Sequence, residues 1–137
     1  MSTTYIPVEL RRMVFQKAEQ KCEYCLIHED DTFFGCQVDH IIAEKHGGAT
    51  TLENLALACT ICNRAKGSDI ATLVAGELVR LFHPRLDQWH EHFGIAVDGF
   101  TVVLNSSIGQ ATIQLLGFND SERLLEREVL SEVGRYP

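Results

Sequence analysis

Two Cys-x-x-Cys pairs, Cys22/Cys25 and Cys59/Cys62, offer four soft sulfur ligands at a spacing suited to one tetrahedral metal ion. Each pair sets two sulfurs on a single turn, where they can take two corners of the tetrahedron. Two pairs fill all four corners and leave no open coordination position. The expected role is therefore structural, with zinc as the ion. A redox dithiol is the alternative reading of a single Cys-x-x-Cys, and a second pair at matching spacing argues against it. Cys36, the fifth cysteine, lies in an apolar stretch and reads as a buried thiol rather than a ligand.

Between and just after the pairs stand Asp39-His40, Asn54 and Asn63. Hydrolysis of a phosphodiester needs a nucleophile, neutralisation of charge on the phosphoryl group and a stabilised leaving oxygen. Asp39 offers a hard oxygen ligand for magnesium or manganese, and the Asn63 carbonyl oxygen offers a second. His40 is of the side-chain type suited to taking a proton from water near neutral pH. Asn54 can hydrogen-bond backbone and so hold the loop that orients His40. Lys45, His46, Arg64 and Lys66 flank these groups as candidate phosphate contacts. Lys66 reads equally well as a basic charge favourable at a helix C-terminus.

These residues need elements to position them. Pro7 opens an expected helix through about Gln20, with Leu10, Met13, Val14 and Ala18 as its apolar stripe and Arg11, Arg12, Lys17 and Lys21 as its basic residues. The acidic stretch from His28 to Asp31 reads as a solvated loop. A strand is expected over Phe33 to Ile42, and Gly47-Gly48 breaks the chain after it. Leu55-Ala56-Leu57-Ala58 predicts a second strand that delivers Cys59, and a helix is expected from Asn63 to Gly67. Downstream, Gly76 marks a turn or bulge, and Pro84 opens a short amphipathic helix carrying Leu86, Trp89 and Phe93. Ile95-Ala96-Val97, Asp98-Gly99 and Phe100 to Leu104 predict a hairpin on a tight Asp-Gly turn. Ile108, Ala111, Thr112 and Leu115 share one helical face. Asn119 and Glu122 read as a capping pair for a last helix that buries Leu125, Val129 and Val133 and stops at Gly134. His83, His90 and His92 read as surface histidines of a packed extension.

The fold class expected is α+β: two strands and a helix stapled by the four cysteines, with an N-terminal helix and a C-terminal α/β extension. The division is residues 1–70 for the core and 71–137 for an extension packed on it rather than an independent domain. With 137 residues and 45% hydrophobic content, the chain can bury a real core. Its net charge of −7, from 12 basic and 19 acidic residues, argues against a protein that coats nucleic acid nonspecifically. A local positive face, or a bound divalent ion, is not excluded by that count. No run is long and apolar enough to span a membrane, and Met1 to Leu10 shows no secretory signal, so the expected location is the cytoplasm. There thiols stay reduced and available to metal.

Taken in order, Cys22-x-x-Cys25, Val38-Asp39-His40-Ile41-Ile42, Gly47-Gly48, Thr51-Leu52-Glu53-Asn54-Leu55 and Cys59-x-x-Cys62-Asn63-x-x-Lys66-Gly67 resemble the HNH endonuclease family over about residues 20 to 68. The resemblance implies a ββα-metal fold around one divalent ion. It implies His40 as general base, Asn54 as the residue that positions it, Asp39 and Asn63 as ligands of catalytic magnesium or manganese, and the four cysteines as a structural zinc site. It also implies DNA as substrate in a restriction or defence setting. RNA remains an alternative, since such a site meets a phosphodiester and not a sugar. Cutting both strands with one small site would call for a homodimer. The segment from Leu81-Phe82-His83-Pro84-Arg85 through Trp89 and His92-Phe93 is similar to an extension of some stand-alone bacterial members.

Two other functions compete. A non-catalytic zinc module that binds nucleic acid or protein would need the cysteines but not Asp39, His40 and Asn63 together. A redox thiol protein would lose activity on alkylation and need no magnesium.

Overall fold

The computed structural model describes residues 4–137; residues 1–3, the start of the Met1 to Leu10 stretch read for a secretory signal, lie outside the described part. Helix α1 (Val8–Lys17) follows Pro7, whose carbonyl accepts from Arg11 N at 3.0 Å. The helix stops short of Gln20 because Glu19 and Gln20 both take positive φ, 55° and 60°. Its apolar stripe is narrower than expected: Val14 is fully buried and Ala18 nearly so, whereas Met13 is 46% exposed. The turn carrying Cys22 and Cys25 comes next and is closed by a bridge between Lys21 and His28.

Strand β1 (Cys36–His40) pairs antiparallel with β2 (Leu55–Cys59), in a register that sets Cys36 opposite Cys59 and His40 opposite Leu55. The first strand starts at Cys36 rather than Phe33. Gly35, at φ 73°, turns the chain out of the strand path, and Phe33 and Phe34 project into solvent. All five residues of β2 are buried, which explains why the segment is apolar without alternation. Leu55 and Leu57 pack toward α1 with Ile6, Val14 and Ala18, while Ala56 and Ala58 join the cluster around the cysteines.

Helix α2 (Thr60–Lys66) begins three residues before the expected Asn63. Cys59 acts as its N-cap, its sulfur accepting from Cys62 N at 3.4 Å, so the second cysteine pair starts the helix rather than preceding it.

The remainder builds two more hairpins and three helices. Strands β3 (Ala71–Val74) and β4 (Glu77–Arg80) meet at Ala75-Gly76, where φ values of 50° and 83° form the primed turn that suits strand twist. A single helical turn, α3 (Trp89–His92), leads into β5 (Phe93–Ile95), which pairs with β6 (Val102–Leu104). Leu86 is 77% exposed and lies outside that helical turn. The second hairpin closes with a wider loop than a two-residue Asp-Gly turn. Ala96 N bonds Thr101 O at 2.8 Å, the Asp98 carboxylate accepts from Phe100 N and Thr101 N, and Gly99 but not Asp98 has positive φ. His92 is not a surface histidine: its Nδ1 lies 2.7 Å from Ser106 Oγ, and its ring meets Phe82 edge on.

Helix α4 (Ser107–Leu116) is capped by Ser106 and buries Ala111 and Thr112 as its periodicity predicts. Helix α5 (Ser121–Glu132) reverses the expected face. Leu125, Val129 and Val133 are exposed, and the buried residues are Arg123 and Arg127. The reason lies in acceptors that only the interior offers. Arg127 donates to Phe100 O at 2.8 Å and to Asn119 Oδ1 at 3.0 Å, and Arg123 donates to Leu116 O at 2.6 Å. Asn119 is thereby committed to Arg127 and to the backbone of Val102, and it caps no helix.

The extension and the cysteine-bearing core share one apolar cluster, in which Phe82, Phe93, Val102, Leu116 and Phe118 pack with Tyr24 and Ala58. A buried ion pair joins them: Arg85 donates to both Glu23 carboxylate oxygens, at 2.5 and 3.0 Å, with side chains only 6% and 13% exposed. Glu23 also receives Leu57 N at 2.8 Å, so the pair is tied to the edge of β2. Among the described residues no helix is long and apolar enough to cross a membrane. Arg85→Ala leaves the Glu23 charge enclosed without its cation. It should destabilise the fold by about 3–5 kcal/mol, read as a lowered midpoint in chemical denaturation.

Candidate metal and active site

The four sulfurs of Cys22, Cys25, Cys59 and Cys62 lie within 4.8 Å of one another, all buried. A tetrahedron with metal–sulfur bonds of about 2.3 Å has edges of about 3.8 Å. The Cys25–Cys59 sulfur separation is 3.7 Å. In each pair the second cysteine's backbone N–H points at the first sulfur, at 3.5 Å for Cys25 N and 3.4 Å for Cys62 N. Burial pushes the Cys22 and Cys62 thiols well up, while hydrogen bonds from Cys22, Cys59 and Cys62 hold Cys25 well down. Several thiolates enclosed together need a cation to ionise jointly, and this donor set fits zinc. Cys36 stands outside the set as a half-buried thiol that burial pushes up to about 12.

The extension supplies the cluster with two groups that sequence reasoning missed. Arg123 of α5 donates to Cys62 Sγ at 3.0 Å and lies 3.9 Å from Cys59 Sγ. Burial opposes its charge, but the charges on Cys62 and Cys25 outweigh burial and hold the guanidinium protonated. Tyr136 Oη donates to Cys25 O at 2.7 Å. No spacing rule joins residue 123 to residue 62. The one available sign was that Arg123 and Arg127 recur four apart, on a helix whose apolar residues form a second, competing stripe.

At the far end of β1, Asn54 closes the loop that follows His40. Its Oδ1 accepts from Ile42 N at 2.9 Å, and its Nδ2 donates to Ile42 O at 2.9 Å and Ala49 O at 2.8 Å. Gly48 passes so close that a Cβ there would lie 1.7 Å from Ile42 O, so only glycine fits under this clamp. The loop returns Thr50 to His40, whose Nε2 lies 2.9 Å from Thr50 Oγ1. Thr50 was legible as a loop residue but not as a partner of the histidine. The Nδ1 of His40 is buried and has no hydrogen-bond partner among the described residues. The tautomer with hydrogen on Nε2 donates to Thr50 and leaves Nδ1 an open lone pair. The opposite tautomer would enclose an unpaired N–H at a cost of about 1–3 kcal/mol.

Strand β1 runs beside α2, and their side chains meet in steps. Thr60 Oγ1 reaches Gly35 O at 3.4 Å, and Asn63 Nδ2 donates to Gln37 Oε1 at 2.6 Å. Lys66, one helical turn on from Asn63, donates from Nζ to His40 O at 3.4 Å and feels the charge of Asp39. Gln37 thus turns the Asn63 amide so that its carbonyl oxygen is the end left uncommitted. Asp39 is half-buried and supplies the carboxylate. These are hard oxygen donors, which fit magnesium or manganese rather than a softer metal.

Of the four residues expected to contact phosphate, Lys45, His46 and Arg64 are exposed, and Lys66 is not. Lys66 is 3% exposed because the helical period that turns Asn63 toward β1 turns Lys66 the same way. Burial pulls its ammonium pKa down, against the opposing charges of Asp39 and Asp69. Its ammonium therefore lies against the backbone of β1 rather than on the surface.

Fold and site define a ββα core, closed at one end by a tetrathiolate and carrying Asp39 and His40 at the other, with Asn63 partway between them on α2. Residues 22–69 match the family model described as HNH endonuclease. The match covers the cysteines, the strand pair and α2, about a third of the chain. Neither the comparison with curated proteins nor that with solved structures finds a match. The family's members are generally nucleases, which supports a hydrolase acting on nucleic acid. Arg123→Met removes the guanidinium set against the buried sulfurs. It should weaken zinc retention by about tenfold or more, measured as faster transfer of zinc to a chromogenic chelator.

Proposed function

We propose that this chain is a metal-dependent endonuclease that hydrolyses DNA phosphodiester bonds, with His40 as general base. The observation that carries the reading is the state of the His40 ring, with Nε2 engaged by Thr50 and Nδ1 uncommitted, next to Asp39 and within the matched family segment. A base needs a free lone pair on an imidazole that cannot rotate away; Thr50 fixes the ring, and the attacking water would have to reach the enclosed Nδ1.

In this reading His40 Nδ1 takes a proton from the attacking water, and Thr50 holds the ring as it becomes charged. Asn54 keeps Thr50 and His40 in register by clamping the loop at Ile42 and Ala49. Asp39 and the Asn63 carbonyl would hold a magnesium or manganese ion, which supplies neutralising charge to the phosphoryl group and leaving oxygen. Lys66 would add positive potential near Asp39, and the exposed Lys45, His46 and Arg64 would meet phosphates of the bound strand. The reduced tetrathiolate suits a reducing compartment such as the cytoplasm.

Purified zinc-loaded protein should relax or linearise supercoiled plasmid when magnesium or manganese is added. His40→Ala should lower the rate by about 10²–10⁴-fold while keeping its zinc and its circular dichroism. Thr50→Val should lie between the two. A His40→Ala variant that cleaves as fast as the parent protein would remove His40 from the role of base.

A further inference from the structure

Phe33 and Phe34 are 89% and 71% exposed, and their rings meet edge on with centroids 4.7 Å apart. They are not on a loose tail. Thr32 Oγ1 reaches Glu29 O at 3.2 Å, Gly35 O is met by Thr60, and Asp31 is paired with Arg135 at 3.0 Å. A well-anchored turn therefore presents two adjacent apolar rings to solvent.

Their place in the fold is continuous with the site. Gly35, just before β1, and Gln37 and Asp39 on it step beside Thr60, Asn63 and Lys66 of α2, so the ring pair stands at one end of the seam whose other end is the Asp39–His40 centre. Phe34 and Asp39 are five positions apart in the chain, at most about 17 Å of extended backbone. That is a reach of a few nucleotides. The recess beneath the rings is lined by Thr60, Ile61 and Arg64, with Glu126 as its acid. Glu126 lies within the field of Arg123 and Arg127. Arg64 is exposed and enters no hydrogen bond or ion pair among the described residues, so its cation is available to an anion.

We propose that Phe33 and Phe34 form a stacking platform for unpaired bases of the strand being cut, with Arg64 on a phosphate between platform and centre. The preferred substrate then carries single-stranded nucleotides beside the scissile bond. This rests on the nuclease reading above. Stacking is the mode of grip that suits this chain. A net charge of −7 weakens a hold based on phosphate neutralisation alone, whereas an aromatic face binds any base that is not already stacked in a duplex. Phenyl rings carry no hydrogen-bonding group, so the platform reads no sequence.

The test is binding by the full-length, zinc-loaded His40→Ala protein, which leaves the oligonucleotide uncut. Fluorescence anisotropy compares a labelled single strand with its blunt duplex at fixed salt, with and without Phe33→Ala and Phe34→Ala together. Both rings are exposed, so the double variant should keep its circular dichroism. The expected result is tighter binding of the single strand, a loss of about tenfold or more in the alanine pair, little change for duplex, and recovery with Trp at both positions. Equal binding of strand and duplex by the parent, or an alanine pair that binds the strand undiminished, overturns the platform; the latter would leave the rings to a protein partner. Ring-dependent preference for the single strand, in a wild-type chain that cleaves no nucleic acid with metal present, upholds the platform and counts against the nuclease reading alone.

Discussion

Four sulfurs drawn from two distant turns must occupy one volume only 4.8 Å across, and the rest of the structure is arranged around that requirement. The cluster joins the turn after α1 to the first residues of α2, and β1 and β2 are paired between them. A structural zinc at such a cluster contributes about 10–16 kcal/mol in small zinc-binding peptides at neutral pH, comparable to the entire stability of an ordinary domain. The metal-binding end can therefore hold α2 in place against β1. That contact in turn sets Asn63 against Gln37 and Lys66 beneath Asp39.

Enclosing four thiolates with one divalent ion leaves a net charge of about −2 inside the protein. The C-terminal helix answers this directly. Its Arg123 reaches Cys62 and Leu116 together, and this contact explains why α5 turns a charged face inward and leaves Leu125, Val129 and Val133 in solvent. An apolar stripe contributes in proportion to the area it removes from water, whereas a guanidinium in the interior is held by directional bonds to specific acceptors. Once Cys62, Leu116 O and Phe100 O are in place, the arginine face is the one with partners.

The Asp39–His40 end depends on a different device. His40 lies at the end of β1, and its backbone is paired to Leu55 of a strand buried on both faces. Its ring is set by Thr50, carried on a loop that Asn54 closes with three hydrogen bonds. One rigid strand and one clamped loop thus converge on a single imidazole. This is the kind of overdetermined support that keeps a reacting group in one geometry.

Much of the core was legible in the sequence because its signals are local. Cysteine spacing places two sulfurs per turn wherever the turn lies. The continuous apolar run Leu55 to Ala58 declares a strand that delivers Cys59, and Asn54 before it reads as a backbone clamp. The order of Asp39, His40, Asn54 and Asn63 was enough to nominate the centre. What the sequence left open was decided by contacts between distant residues. Phe33 and Phe34 fit a strand by composition, but Gly35 ends the pairing and turns them out. Lys66 reads as a surface cation until the helical period and β1 enclose it. The inward face of α5 could not be chosen from its own residues, which carry both an apolar stripe and an arginine stripe. The choice fell to acceptors at Cys62, Phe100 and Leu116, whose positions exist only once the tetrathiolate core and the second hairpin are folded.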